Sequence, residues 1–212
     1  MSLHKNGDWY PDQTEYVYSC TLICLDPNCK ETVINLGIGG ITNYPPNERE
    51  ENSTNKFQDY FLPIYFYPNL KLFKYPKSIP KNISKELNYS FELFFCNPPS
   101  SANHIRIALE LVLNFLKIKK FKIKNHERNR ITLHRRIELL PSKYNDLKPL
   151  FYAVKWLGNA GSHSDRQLIK DNVLDSYEIM DLLLQEIYDK KQKQVKKLAK
   201  QINKKMGQKK RV

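Results

Sequence analysis

Apolar and polar residues alternate from Tyr16 to Cys24, placing Tyr16, Tyr18, Cys20, Leu22 and Cys24 on one face of a strand. Asp26-Pro27-Asn28 supplies a turn, and Glu31 to Ile41 resumes the extended pattern with Thr32, Ile34, Leu36 and Ile38 aligned. Together the two runs predict a hairpin. Asn43 to Asn55 is polar, contains Pro45-Pro46 and reads as a loop. Phe57 to Tyr75 is rich in aromatic residues, is interrupted by Pro63 and Pro68, and is followed by Pro76. Proline has no ladder donor, so edge strands or extended segments are expected there.

From Ile79-Pro80 the period becomes helical. Ile83, Leu87, Phe91 and Phe94/Phe95 recur on one stripe as far as Cys96. Asn97-Pro98-Pro99-Ser100 breaks the chain, and Ser100 or Ser101 is placed to cap the next helix. That helix has Ile105, Leu109, Val112 and Leu116 on one side and an (i, i+4) pair, Arg106 and Glu110, on the other. A basic loop leads to a short helix around Leu133 to Leu140, closed by Pro141-Ser142. Another helix spans about Leu147 to Leu157, with Leu150, Val154 and Leu157 facing in. Asp171 caps the last one, whose stripe is Val173, Tyr177, Met180, Leu184 and Ile187. Beyond Lys190 to Gln194 the stripe resumes as Val195, Leu198, Ile202 and Met206. Unbroken to Met206, this helix spans about 54 Å at 1.5 Å per residue, against about 40 Å for a body of this size. The tail is therefore expected to project or to lie on a partner subunit. The fold class is α+β: a β-rich region over 1–78, an antiparallel helical bundle over 79–188 and a basic helical tail over 189–212.

Charge changes this picture more than composition does. The 212 residues carry a net charge of +13. Asp189 to Val212 holds eleven Lys/Arg against one acid, or +10, which leaves +3 for the other 188 residues. Lys117 to Arg130 holds seven more against Glu127. Blocks of this kind attract nucleic acid or anionic lipid; the plainer alternative is a solubilising tail with no partner. No apolar run approaches the ~18 residues of a membrane span, so no membrane association is expected. The first eight residues show no secretory pattern, and four cysteines without one suggest a reducing cytoplasm.

Lys155 to His163 is the most distinctive stretch, joining one apolar helix to the cap of the last. Gly158 and Gly161 permit a bend or positive φ, so Asn159 and His163 sit on a short rigid connector. A histidine placed this way serves as general acid or base; alternatively both residues hydrogen-bond the helix ends together. Cys20, Cys24 and Cys29 form C-x3-C-x4-C. Cys24 and Cys29 flank a turn as a zinc knuckle does, but no second close pair completes a tetrahedral set, and Cys20 reads as core. No metal or other cofactor is expected. Gly37-Ile38-Gly39-Gly40 precedes no helix, which excludes a phosphate loop. Arg135 and Arg136 read as a solvated face. The aromatic stretch Phe57, Tyr60, Phe61, Tyr65, Phe66, Tyr67, Phe73 and Tyr75 offers base stacking, but core under a sheet is the preferred reading.

Four segments together resemble a known family: Ser101 to Glu110, Leu133 to Leu140, Lys155 to His163 and Asp171 to Tyr188. In order and spacing they look like the domain of unknown function 4145 family, and the Cys24-x4-Cys29 hairpin is similar too. That family is regarded as similar to the HEPN (higher eukaryotes and prokaryotes nucleotide-binding) superfamily. These are helical bundles of toxin–antitoxin, restriction and antiphage systems, many of them metal-independent RNases that work as dimers. Their signature is Arg, a polar residue often Asn, a few residues, then His. Carried over, Asn159 matches the polar position and His163 the histidine, while Gly158 occupies the arginine position. Lys155 matches the basic residue that family 4145 has four places before the Asn, and Lys155 or Arg166 is the available cation.

The resemblance implies a HEPN-like bundle and a homodimer, and with the charge pattern it suggests a nucleic-acid-binding accessory or effector of bacterial defence. Its contacts would come from Lys190, Lys193, Lys196, Lys197, Lys200, Lys204 and Lys205 in the tail and from Lys120, Lys122 and Lys124. A second reading is an RNase with His163 as general base or acid, Lys155 stabilising the phosphate and Asn159 orienting. A third is a protein-interaction module, serving a partner protein of a defence system, in which Val195, Leu198, Ile202 and Met206 make a coiled-coil or helix-in-groove contact.

Overall fold

The computed structural model describes residues 14–43, 57–124, 126–160 and 170–209. The polar loop expected from Asn43 to Asn55 lies almost wholly outside them. The chain is α+β and divides into two compact units, Met1–Leu70 and Lys71–Val212.

In the first unit β1 (Glu15–Ile23), β2 (Thr32–Asn43) and β3 (Phe57–Tyr67) form an antiparallel sheet in the order β1-β2-β3. The expected hairpin is present in the register Tyr18↔Gly37. Its turn is shaped by Asp26, whose Oδ1 accepts from the Asn28 N–H at 2.9 Å. Pro63 lies within β3, an edge strand, where the register shifts at Leu36/Gly37. Buried Asn35 bridges that irregularity: Nδ2 donates to the Tyr65 carbonyl at 2.9 Å and Oδ1 accepts from the Tyr18 hydroxyl at 2.8 Å.

The aligned residues Ile34, Leu36 and Ile38 occupy the exposed face of β2; the buried face is Asn35, Gly37 and Gly39. The reason is close approach of aromatic rings. A Cβ at Gly37 would lie 2.7 Å from the Tyr18 ring, and one at Gly39 would strike Tyr16. Glycine on β2 thus leaves channels in which the β1 tyrosines lie, edge-on to Phe61. Cys20, expected in the core, is exposed. The aromatic stretch divides: Phe57, Phe61, Tyr65 and Tyr67 are exposed, whereas Phe73 packs against Phe91 and Tyr177.

The second unit holds α1 (Lys81–Leu93), α2 (Pro98–Phe115), a hairpin of β4 (Phe121–Lys124) and β5 (Glu127–Arg130), α3 (Leu133–Glu138), α4 (Lys148–Ala160), α5 (Lys170–Tyr188) and α6 (Lys190–Lys209). The expected stripes of α1, α2 and α5 form its core: Ile83, Leu87, Phe91, Ile105, Leu109, Val112, Val173, Tyr177, Met180 and Leu184 are all buried. Asn97, not Ser100 or Ser101, caps α2: its side chain accepts from the Ser100 N–H at 3.0 Å, and Pro98 and Pro99 start the helix. Ser101 is instead buried in a hydroxyl cluster with Ser90 and Tyr177.

α2 ends with Lys117 at φ 60° and the Ile118 N–H bonded back to the Leu113 carbonyl at 2.9 Å, a Schellman turn. The basic segment that follows reads as a loop in sequence but folds as the β4–β5 hairpin, with Phe121 opposite Arg130. Its turn is made by His126 at φ 62°. The last apolar stripe is broken at Asp189, which ends α5 and separates it from α6. The single 54 Å helix is therefore two helices of 19 and 20 residues.

Candidate functional site

α4 runs through Gly158 to Ala160, so the stretch expected to bend is helical there. The period explains it: Phe151, Val154, Lys155 and Gly158 lie at steps of three, one and three, on the face that packs against α2. Gly158 allows that packing, since a Cβ would stand 2.6 Å from the Arg106 Cβ and 3.3 Å from the Ala102 carbonyl oxygen. Its role is close helix approach, not positive φ.

Lys155 is 8% exposed and places Nζ 3.4 Å from the centroid of the Trp156 ring. Burial, and secondarily the charge of Arg106, pull its ammonium below the ordinary lysine pKa. Asn159 follows one turn later and is half-buried. His163 and Arg166 lie outside the described residues, so the residues brought together are Lys155 and Gly158 on α4 with Arg106 on α2.

Arg106 belongs to a larger charged network. Glu110 Oε2 accepts from Arg130 Nη2 at 2.8 Å, its Oε1 is 3.5 Å from Arg106 Nη2, and Oε2 stands 4.0 Å from Arg136 Nη1. Arg136, expected on a solvated face, is 1% exposed, while its neighbour Arg135 is solvated and pairs with Glu138 at 2.7 Å. The buried guanidinium is held because Nη2 donates to Asn114 Oδ1 at 2.6 Å and to the Ile118 carbonyl at 3.3 Å, which the Schellman turn delivers. Burial, and secondarily Arg130, lower its pKa, while Glu110 opposes them. The Arg106–Glu110 spacing was visible in sequence; the convergence of Arg130 and Arg136 on the same carboxylate had no local signal.

The expected nucleic-acid contacts are on two surfaces. Lys120 and Lys122 are exposed at the β4–β5 hairpin, where Arg128 stacks 3.9 Å from the Phe121 centroid. On α6, Lys200, Lys204 and Lys205 are exposed; the side chains of Lys124, Lys190, Lys193, Lys196 and Lys197 lie outside the described residues. The apolar stripe Val195, Leu198, Ile202 and Met206 of α6 is 50–62% exposed. Cys24 and Cys29 are exposed free thiols, and among the described residues no three metal-ligand side chains converge. No described helix is long and apolar enough to cross a membrane.

Two family models match. One described as domain of unknown function (DUF4145) covers residues 88–205, and one described as domain of unknown function (DUF8608) covers residues 1–66. The division between them falls close to that between the two compact units. No curated protein and no solved structure matches the chain.

Proposed function

The chain belongs to the domain of unknown function 4145 family, and from that premise we propose that it is a nucleic-acid-binding protein whose principal contact is α6. One observation carries this reading: α6 holds nine lysines and no acidic residue over Lys190–Lys209, with Lys200, Lys204 and Lys205 exposed. A helix whose charges are all of one sign releases counterions from a phosphate backbone when it binds. The resemblance to HEPN proteins adds the setting, an accessory or effector of bacterial defence acting as a homodimer. In the test, full-length protein and K200Q/K204Q/K205Q are titrated with labelled duplex and single-stranded nucleic acid at several salt concentrations. The log–log salt slope is expected to flatten by about 0.9 for each lost phosphate contact on duplex DNA and about 0.7 on single strands. An unchanged slope and affinity overturn α6 as the interface.

A second reading, a metal-independent RNase, is favoured by the position of Arg106. The resemblance reserves the position of Gly158 for an arginine, and Arg106 of α2 lies against that glycine. A cation from a neighbouring helix is thus available to the scissile phosphate beside Lys155 and Asn159, with His163 as general acid or base. Incubation of end-labelled RNA in chelator with the intact protein, H163A and R106A tests it. Cleavage to 2′,3′-cyclic phosphate ends that both substitutions abolish supports the reading; intact RNA with all three proteins refutes it.

A further inference from the structure

One stripe of α2 carries Ala102, Arg106, Glu110 and Asn114 at four-residue steps, about 18 Å of helix at 1.5 Å per residue. Along it four cations meet one anion. Glu110 takes Arg106, Arg130 and Arg136 on a single carboxylate, and Lys155 approaches Arg106 from α4. One carboxylate neither balances these charges nor supplies the acceptors they need. Arg136 Nε and Nη1 and Arg106 Nε are buried with no hydrogen-bond partner among the described residues. The Arg136 side chain is only 2% exposed. Buried guanidiniums short of acceptors weaken a fold, so a network serving stability alone is poorly explained by this imbalance.

We propose that this stripe is a phosphate-binding track in which Arg106 and Arg130 hold the phosphate while Glu110, Asn114 and Arg136 fix their geometry. Arg106 and Arg130 are the members a ligand reaches, with side chains 28% and 63% exposed. Arg136 is anchored from behind by Asn114 and Ile118, and Glu110 spaces the two reachable forks. Planar guanidiniums match phosphate oxygens two at a time, which a lysine pair does not. Positive surface continues from Arg130 to Arg128 on the same face of the hairpin, with exposed Lys120 beside the same Phe121 ring. That extension suits a chain of phosphates better than a single ion. The inference rests on the nucleic-acid reading and adds a second contact to it, independent of α6; a free phosphate or nucleotide shares the same chemistry.

The experiment compares full-length protein with R130Q, R106Q and K200Q/K204Q/K205Q. Each is titrated with labelled single-stranded RNA and DNA between about 50 and 200 mM salt, and melted with and without inorganic phosphate or AMP. Weaker binding by R130Q and R106Q, each with a salt slope shallower by about 1, supports the track. A purely structural network lowers the melting temperature of the variants but leaves the slope of the folded fraction unchanged, and that result overturns it. Should R106Q fail to fold, R130Q decides, because its side chain is mostly exposed. If the intact protein binds no nucleic acid, the nucleic-acid reading fails by itself. In that event phosphate or AMP that raises the melting temperature of the intact protein but not of R130Q supports the track with a free ligand. No such rise overturns it.

Discussion

Gly158 of α4 lies against Arg106 of α2 so closely that a Cβ at position 158 would stand 2.6 Å from the Arg106 Cβ. The absent side chain is what lets the two helices meet, and the meeting brings Lys155 of α4 within electrostatic reach of Arg106, which pairs with Glu110 one turn along its own helix. Glycine in a helix interior is locally unfavourable by about 1 kcal/mol relative to alanine, so its presence here reflects packing.

Gly158→Ala is therefore expected to lower stability by about 1–3 kcal/mol through overpacking, despite the better helix propensity of alanine. Urea unfolding measures it as a lower midpoint. A raised midpoint means that α2 and α4 do not approach this closely.

Tyr177 shares its hydroxyl with Ser90 and Ser101 at 2.9 and 2.8 Å, and burial pushes its pKa up to about 12. Tyr177→Phe is expected to cost about 1 kcal/mol at neutral pH, since the two serines keep their own bond. In the unfolded chain the phenol ionises near its ordinary 10, while the folded chain keeps its proton to about 12. The native protein thus has full stability below about pH 10 and loses it progressively toward pH 12, a loss the phenylalanine variant lacks. The stability gap between the two proteins should narrow from about pH 10 and close before about pH 12; a constant gap contradicts the buried phenol.

Replacing Glu110 by Gln removes the carboxylate shared by Arg106, Arg130 and Arg136. The loss is expected to be about 1–3 kcal/mol, below the 3–5 of a fully buried pair because this side chain remains partly exposed. Adding Arg136→Met should recover part of it, and a double-mutant cycle reads the coupling. Strict additivity would mean that the two residues are energetically independent.

Asn35→Leu deprives the Tyr65 carbonyl and the Tyr18 hydroxyl of partners at the β2–β3 irregularity. An expected penalty of about 1–3 kcal/mol should appear as faster hydrogen exchange of β2 and β3 amides. Exchange of α2 amides, which belong to the other compact unit, serves as the reference. Unchanged β2 and β3 exchange rules out a structural role for this side chain.

Much of the α+β architecture was legible in the sequence. The β1–β2 hairpin followed from period-2 alternation, and the cores of α1, α2 and α5 followed from stripes at helical spacing. The misreadings share a cause. Asn97 was overlooked as a cap because two serines stood nearby, yet Ser101 faces inward toward Tyr177. Gly158 resembled a hinge because glycine is read locally as freedom, whereas a facing helix made it a point of contact. Lys117 to Arg130 looked like a loop because its charges hid a short alternation, Phe121 and Ile123, that needs a turn at His126 to become a hairpin.

Periodicity, caps and charge runs act within a few residues or along one helix, and they suffice to specify the first hairpin, the apolar helices and the basic character of the C-terminal segment. The site depended on contacts among distant segments. Arg136 is buried because Asn114 and Ile118, some twenty residues earlier, present acceptors to it, and Arg130 reaches Glu110 only once β5 has folded back. A guanidinium stays in a core only where acceptors and a counter-charge meet it, and three-dimensional packing, not local spacing, brought them together.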